Sequence, residues 1–195
     1  TSDGGWKPTQ SEHIKKSELC ASCHTLITSA LGPDGKVVGS LPEQMPYQEW
    51  LHSGYRDQSC QSCHMPAVKE EVPIASVLAA PRSGLARHTF VGGNFFMQRV
   101  LNKFRNDLGI KAMPQEMDAA INRTITHLQS DAARVSIDQV EIRDGRLVAN
   151  VGVENLGGHK LPTAYPSRRA WLHLVVRDRG GRVVFESGAL GRDGA

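Results

Sequence analysis

The sequence Cys20-Ala-Ser-Cys23-His24, which recurs as Cys60-Gln-Ser-Cys63-His64, decides how this chain folds. In Cys-x-x-Cys-His the two thiols lie close enough to add to the two vinyl groups of one porphyrin, and the adjoining imidazole is held below the iron. Each motif is therefore predicted to attach one haem c covalently. The predicted thioether residues are Cys20, Cys23, Cys60 and Cys63, and the predicted proximal iron ligands are His24 and His64.

All four cysteines of the chain lie in these two motifs, which leaves none for a disulfide. Two Cys-x-x-Cys pairs can also build a zinc site or two thioredoxin-like dithiols. Only haem attachment requires a histidine directly after each pair, and with 8 histidines in 195 residues chance rarely places one there twice. The prediction is two haems c per chain, with zinc and redox dithiols as the alternatives.

The length fits one medium domain or two small ones, and 39% hydrophobic residues are enough for a packed core. The net charge of +3 is small and the basic residues are scattered, so nucleic acid is not expected as a partner. No apolar run reaches the ~18 residues that cross a bilayer, so no transmembrane segment is expected. No signal segment opens the sequence, and we expect one to have been removed or to lie outside it. Since haem c is attached beyond the bacterial inner membrane, the predicted location is periplasmic or extracellular.

The segment before residue 133 has the apolar spacing of helices, separated by proline- and glycine-rich loops. Gly32-Pro-Asp-Gly35 is a predicted turn, and a short helical turn is predicted to carry Cys60 to His64. A first helix is predicted to begin at Ser11 or Ser17 and to lead into the first motif. Three further helices are predicted, from Pro46 to Gly54, from Phe96 to Leu108, and from Pro114 to Leu128.

From Ala133 the hydrophobic period changes to two, which predicts strands. The alternation slips in phase before Val140, and Asp144-Gly145 is a hairpin signal. A further strand is predicted from Ala170 to Val176, turning at Gly180-Gly181 into a fourth. The predicted fold class is α+β, with a mainly helical di-haem domain with long loops over 1–132 and a small antiparallel β-sandwich-like domain over 133–195. No closing strand is evident, so either the sheet packs on the haem domain or sequence continues beyond its end.

Several longer stretches resemble bacterial multihaem c-type cytochromes. They are SEHIKKSELCASCHTL, PEQMPYQEWL, CQSCHMP, RHTFVGGNFFMQRVL and GGHKLPTAYPSRRAWLHLVVRD. The resemblance covers most of the chain and implies a helical haem domain followed by a β-sandwich. In relatives of this kind, further haem motifs often lie upstream and a longer β domain downstream.

Three of the remaining six histidines are the candidate distal iron ligands. His88 precedes a glycine-rich loop that allows close backbone approach to a flat cofactor. His159 follows two glycines in a long loop between strands, which can project its side chain out of the β segment toward the haems. His13 lies just before the first motif and is expected to reach the second haem or a haem of another chain. The resemblance, in which a histidine recurs upstream of the motif, supports His13.

The other histidines are expected to play no part in iron binding: His52 and His127 lie at the surface, and His173 is a satisfied sheet residue. Met65 and Met97 could serve as axial ligands instead of a histidine, but they are less favoured because histidines are available. Lys160, Arg168 and Arg169 can face haem propionates, or form ordinary salt bridges in a solvated loop.

The predicted function is electron transfer through two six-coordinate, bis-histidine haems, since no motif in the sequence demands catalysis. The expected partners are redox proteins, other multihaem cytochromes or copies of this chain. One alternative is a haem reductase or oxidoreductase that leaves one iron open to a small inorganic substrate. Another is a subunit of a larger haem array, with the β domain as its interaction module.

Overall fold

A computed structural model describes residues 9–191 of the chain. Among these residues, two helical elements precede two strands, and four helices then precede four more strands; every pair of strands is antiparallel. The helical elements are a 3-10 turn (Glu12–Lys15), α1 (Ser17–Ala21), α2 (Pro46–Leu51), α3 (Cys60–His64), α4 (Phe95–Lys103) and α5 (Pro114–Ser130). The strands are β1 (Leu26–Leu31), β2 (Val37–Gln44), β3 (Ala133–Arg143), β4 (Arg146–Asn155), β5 (Leu174–Arg177) and β6 (Val183–Ser187).

Two helices begin at the prolines that the sequence indicates, Pro46 and Pro114. Proline suits the first helical position because the missing N–H has no partner there. α2 ends at Leu51 instead of Gly54, because the indole Nε1 of Trp50 donates to the carbonyls of Tyr55 (3.0 Å) and Gln58 (2.9 Å) and folds the following residues into a turn.

The predicted helix from Phe96 to Leu108 is shorter in the structure, where α4 ends at Lys103. The side chains of Phe104 and Leu108 are 45% and 54% exposed, so little packing favours further helical turns at that end. α4 packs against α5, which completes the helical pair expected from the sequence.

A β-hairpin formed by β1 and β2 lies inside the segment that was predicted to be mainly helical. The turn at Gly32-Pro-Asp-Gly35 is confirmed: the N–H of Gly35 donates to the carbonyl of Gly32 at 2.9 Å, and Gly35 has φ +74°. The strands were missed because β2 contains Gly39 and Pro42, residues that weaken a strand. Pro42 is tolerated because it pairs with Ile27 beside a register shift in a two-stranded ladder.

The strands β3 and β4 form the long hairpin that the period-two pattern predicts. The predicted phase slip is a register shift between Asp138 and Glu141, with Gln139 at φ +50°. The hairpin turn has positive φ at both Asp144 (+52°) and Gly145 (+73°), as tight hairpin turns require.

The predicted sandwich-like packing is also not seen among the residues that the structure describes. Within residues 9–191, β3–β4 and β5–β6 are separate two-stranded ladders with no shared strand. β5 begins at Leu174 instead of Ala170. The chain leaves the hairpin after Asn155, and the long loop up to β5 turns back to contact α2, so β5 does not pair with β4.

The most deeply buried side chains belong to the helices. Of residues 9–191, only Ser17, Ile121 and Thr124 are fully buried, at 3%, 5% and 2% exposure. Strand residues such as Val135 and Ile137 remain more than half exposed, so the hairpins enclose no core of their own. Within the same residues, no helix combines the length and the apolar character needed to cross a membrane.

Candidate haem sites

The first Cys-x-x-Cys-His motif begins in α1 and continues just beyond it, whereas the second motif forms α3, and hydrogen bonds hold these two segments together. The buried hydroxyl of Ser17, the first residue of α1, accepts from the backbone N–H of Cys60, the first residue of α3, at 3.1 Å. The Gln61 amide donates to the carbonyls of Ile14 (3.0 Å) and Lys16 (2.9 Å). The fold therefore brings the two motifs together, although 36 residues separate Cys23 from Cys60 in the sequence.

The first thiols of the two motifs lie side by side. Burial raises the pKa of the Cys20 thiol, and the neighbouring Cys60 thiol raises it further through charge repulsion and a hydrogen bond. Cys23 and Cys63 are exposed. In the part of the chain that the structure describes, no three or more His, Cys, Asp or Glu side chains are grouped as metal ligands.

His64, at the end of α3, has the hydrogen bonding of a metal ligand. Its Nδ1 donates to the carbonyl of Val91 at 2.5 Å, which leaves the lone pair of Nε2 available for iron. Burial lowers the pKa of His64, and the nearby imidazoles of His159, His127 and His24 lower it further. The ring is therefore kept neutral, the state that binds a metal.

The ring that faces His64 is that of His159. The two ring centres are 6.2 Å apart and the planes differ by 15°. A metal–nitrogen bond of about 2 Å on each side, plus about 1 Å from each nitrogen to its ring centre, places the rings of two axial histidines about 6 Å apart. Nδ1 of His159 donates to the carbonyl of Lys160 at 3.2 Å, so its Nε2 is also available. The spacing and the tautomers agree with a pair of histidines that share one iron. The two rings stack in the structure, and because the lone pair of Nε2 lies in the ring plane, they would have to rotate to direct both nitrogens at that iron.

The first motif has different surroundings. His24 is exposed, whereas His64 is half-buried. His88 stacks on Phe90 with ring centres 5.9 Å apart and 5° between the planes. Nδ1 of His13 lies 2.7 Å from the hydroxyl of Ser11. Both side chains are exposed, and neither of these contacts involves His24.

The remaining histidines divide into two groups. His52 is exposed and its Nδ1 donates to the carbonyl of Gln48 in its own helix, and Nε2 of His173 lies 2.8 Å from Glu186. His52 lies at the surface as expected, whereas His173 lies just before β5 and not within a strand. His127 was expected at the surface but is half-buried, 3.3 Å from the Asp131 carboxylate, and close enough to lower the pKa of His64. Its position was missed because it flanks the apolar face of α5.

Of the basic residues near His159, Arg168 turns toward the glycine-rich loop that follows His88. Its guanidinium donates to the carbonyl of Thr163 at 3.3 Å, and it lies 3.8 Å from where a Cβ on Gly93 would stand. Lys160 is exposed, and its backbone N–H is used by the Glu49 carboxylate. The sequence does not identify Glu49 as a functional residue, because a single carboxylate on a helix forms no motif.

No protein-family model matches the sequence, and no curated protein matches it either. The fold is similar to a solved structure described as a penta-heme cytochrome c552 from Thermochromatium tepidum, with 21% sequence identity and a TM-score of 0.51. The match covers 91% of this chain and 32% of that chain, so this chain spans about a third of the length of the solved protein. The architecture is thus similar to that of a multihaem c-type cytochrome.

Proposed function

We propose that the protein is an electron-transfer cytochrome with two covalently bound haems c, one at each Cys-x-x-Cys-His motif. The observation that carries the proposal is the pair of facing imidazoles, His64 and His159, with ring centres 6.2 Å apart and both Nδ1 atoms bonded to backbone carbonyls. In this proposal His64 is the proximal and His159 the distal ligand of the second haem. His24 is the proximal ligand of the first haem, and His88 or His13 supplies its distal ligand.

The residues of the chain would then set how readily each iron exchanges an electron. Haem c, when bound, supplies one-electron chemistry at iron. His64 and His159 would together hold the iron of the second haem and would exclude other ligands from it. The Val91 carbonyl fixes the orientation of His64 and makes its imidazole more electron-donating. The contacts between α1 and α3 hold the two attachment sites side by side, which favours electron exchange between the haems.

The ligand assignment is tested by His159→Ala. We expect this variant to keep two haems in a pyridine haemochrome assay, while one of them becomes high-spin and binds CO when reduced. His173→Ala is the matched control, because the described contact of this imidazole is with the Glu186 carboxylate. The variant should remain low-spin at both irons. If His159→Ala also stays low-spin, His159 is not a ligand.

A second function, a haem oxidoreductase, is favoured by one observation. His24 is exposed. The His88 ring stacks on Phe90 and the His13 ring contacts Ser11, so neither of these contacts is with His24. An iron left five-coordinate above His24 would be open to a small inorganic molecule. Ready binding of nitrite or cyanide by one haem of the unmodified protein would support this function over simple electron transfer.

The proposed setting is the periplasm or the cell exterior, because haem c is attached on that side of the membrane. The partners in this proposal are redox proteins, including other multihaem cytochromes or further copies of this chain. The long β3–β4 hairpin, exposed on both faces, is the candidate interaction surface if the chain works within a larger haem array.

A further inference from the structure

The peptide group that follows His159 is held on both of its polar atoms by side chains. The carbonyl oxygen of His159 accepts from the Asn155 amide at 2.7 Å. The N–H on the other side of the same peptide, that of Lys160, donates to Oε2 of Glu49 at 3.0 Å. Since the peptide unit is planar, two fixed ends leave it little freedom to rotate. The side chains of Asn155 and Glu49 therefore fix the orientation of the backbone that carries the His159 imidazole.

Glu49 contributes more than this one bond. The same oxygen, Oε2, also accepts from the hydroxyl of Thr163 at 2.6 Å, so one carboxylate joins two points of the loop. Glu49 is half-buried on α2 and, among residues 9–191, no Lys, Arg or His forms an ion pair with it. Hydrogen bonds to an ionised acceptor are stronger than neutral ones, and here they are the main interactions of this carboxylate.

The next residue of α2, Trp50, connects this contact to the second haem motif. A Cβ at Gly158 would stand 3.3 Å from Cβ of Tyr55 and 3.5 Å from Cδ1 of Trp50, so the loop backbone lies directly on these side chains. The Trp50 indole donates to the carbonyls of Tyr55 and Gln58, in the turn that leads to Cys60. Glu49 therefore fixes the His159 loop to the same short segment that positions α3 and His64.

We propose that Glu49 is a positioning residue that holds His159 opposite His64, through a bond to Lys160, which lies 111 residues further along the sequence. This inference rests on the proposed role of His159 as a distal ligand. Without the carboxylate, the loop keeps the Asn155 contact but loses both of its bonds to α2. The imidazole then leaves the iron more often, although every atom of the ligand itself is intact. Supporting groups of this kind typically change metal affinity by about 10–100-fold.

The test is the rate at which CO binds to the reduced holoprotein in Glu49→Ala, Glu49→Gln and Thr163→Val. Because His159 must leave before CO can bind, Glu49→Ala should raise the amplitude or rate of CO binding at one haem about tenfold or more, with two haems retained. Glu49→Gln and Thr163→Val should give intermediate values, because each keeps part of the contact. Glu141→Ala, which removes a carboxylate paired with Arg143 on the exposed hairpin, is the control and should match the unmodified protein.

The outcomes separate this inference from the proposed function. If His159→Ala opens one haem to CO but all three variants behave like Glu141→Ala, Glu49 does not position the ligand. If His159→Ala itself leaves both haems closed, the ligand assignment fails first. If Glu49→Ala does not fold with both haems, Glu49→Gln and Thr163→Val decide the question, and unchanged CO binding in these two overturns the inference.

Discussion

The two haem motifs share the same residue pattern, and the structure gives them different surroundings. His64 lies half-buried, bonded to Val91 and faced by His159, whereas His24 is exposed. In the proposed function, the motif would specify where a haem is attached, and the surrounding fold would supply the second ligand of its iron. The two sites would then have unequal roles, with a second site closed for electron transfer and a more accessible first site.

The largest expected effect is on attachment, where the two motifs should behave alike. We expect Cys23→Ala and Cys63→Ala each to remove one covalent haem, because the single remaining thioether, at Cys20 or Cys60, holds the porphyrin poorly during maturation. The pyridine haemochrome content per chain should fall to about half in either variant. Zinc in the purified protein, or haem that is extracted by acid-acetone, would overturn the assignment for both motifs.

The sequence alone can predict where haem is attached, because Cys-x-x-Cys-His is a local pattern, and attachment at these two motifs stays a prediction. The distal ligand depends on contacts over long distances in the sequence. The glycines before His159 indicated a projecting loop, but its docking on Glu49, Trp50 and Tyr55 depends on tertiary structure. Likewise, the burial of His127 results from the packing of α5, which a flanking position on a helical pattern does not reveal.

The fold was predictable to a similar extent. Helices that begin at Pro46 and Pro114, and the hairpin at Asp144-Gly145, follow from residues with strong local preferences, and the structure confirms them. The β1–β2 hairpin was missed because its strands contain glycine and proline. The sandwich-like arrangement was expected from a count of strands, which does not reveal that the loop after β4 returns to α2.

The next largest effect concerns the first iron and sharpens the contrast between the sites. If His88 completes the haem at His24, His88→Ala should make one haem high-spin while leaving the His64–His159 haem low-spin, by EPR of the oxidised protein. His13→Ala has the same expected result if His13 is the ligand instead. His52→Ala is the control, because His52 is exposed and its ring bonds within its own helix. Two low-spin haems in both variants would exclude both histidines as ligands of this iron.

The smallest expected effect concerns what the two motifs share, the contact between α1 and α3. The Ser17 hydroxyl is nearly inaccessible to water, so in Ser17→Ala the Cys60 N–H loses its acceptor and water cannot easily replace it. Leaving a buried donor unsatisfied costs about 1–3 kcal/mol, and we expect a loss near the lower end because Cys60 is only half-buried. Chemical denaturation of the holoprotein measures this loss.

Ser130→Ala is the control, since that exposed hydroxyl donates to a carbonyl in the last turn of α5. Equal stability of the two variants would mean that the haems alone hold the motifs together, whereas a loss confined to Ser17→Ala would show that the polypeptide itself sets their spacing.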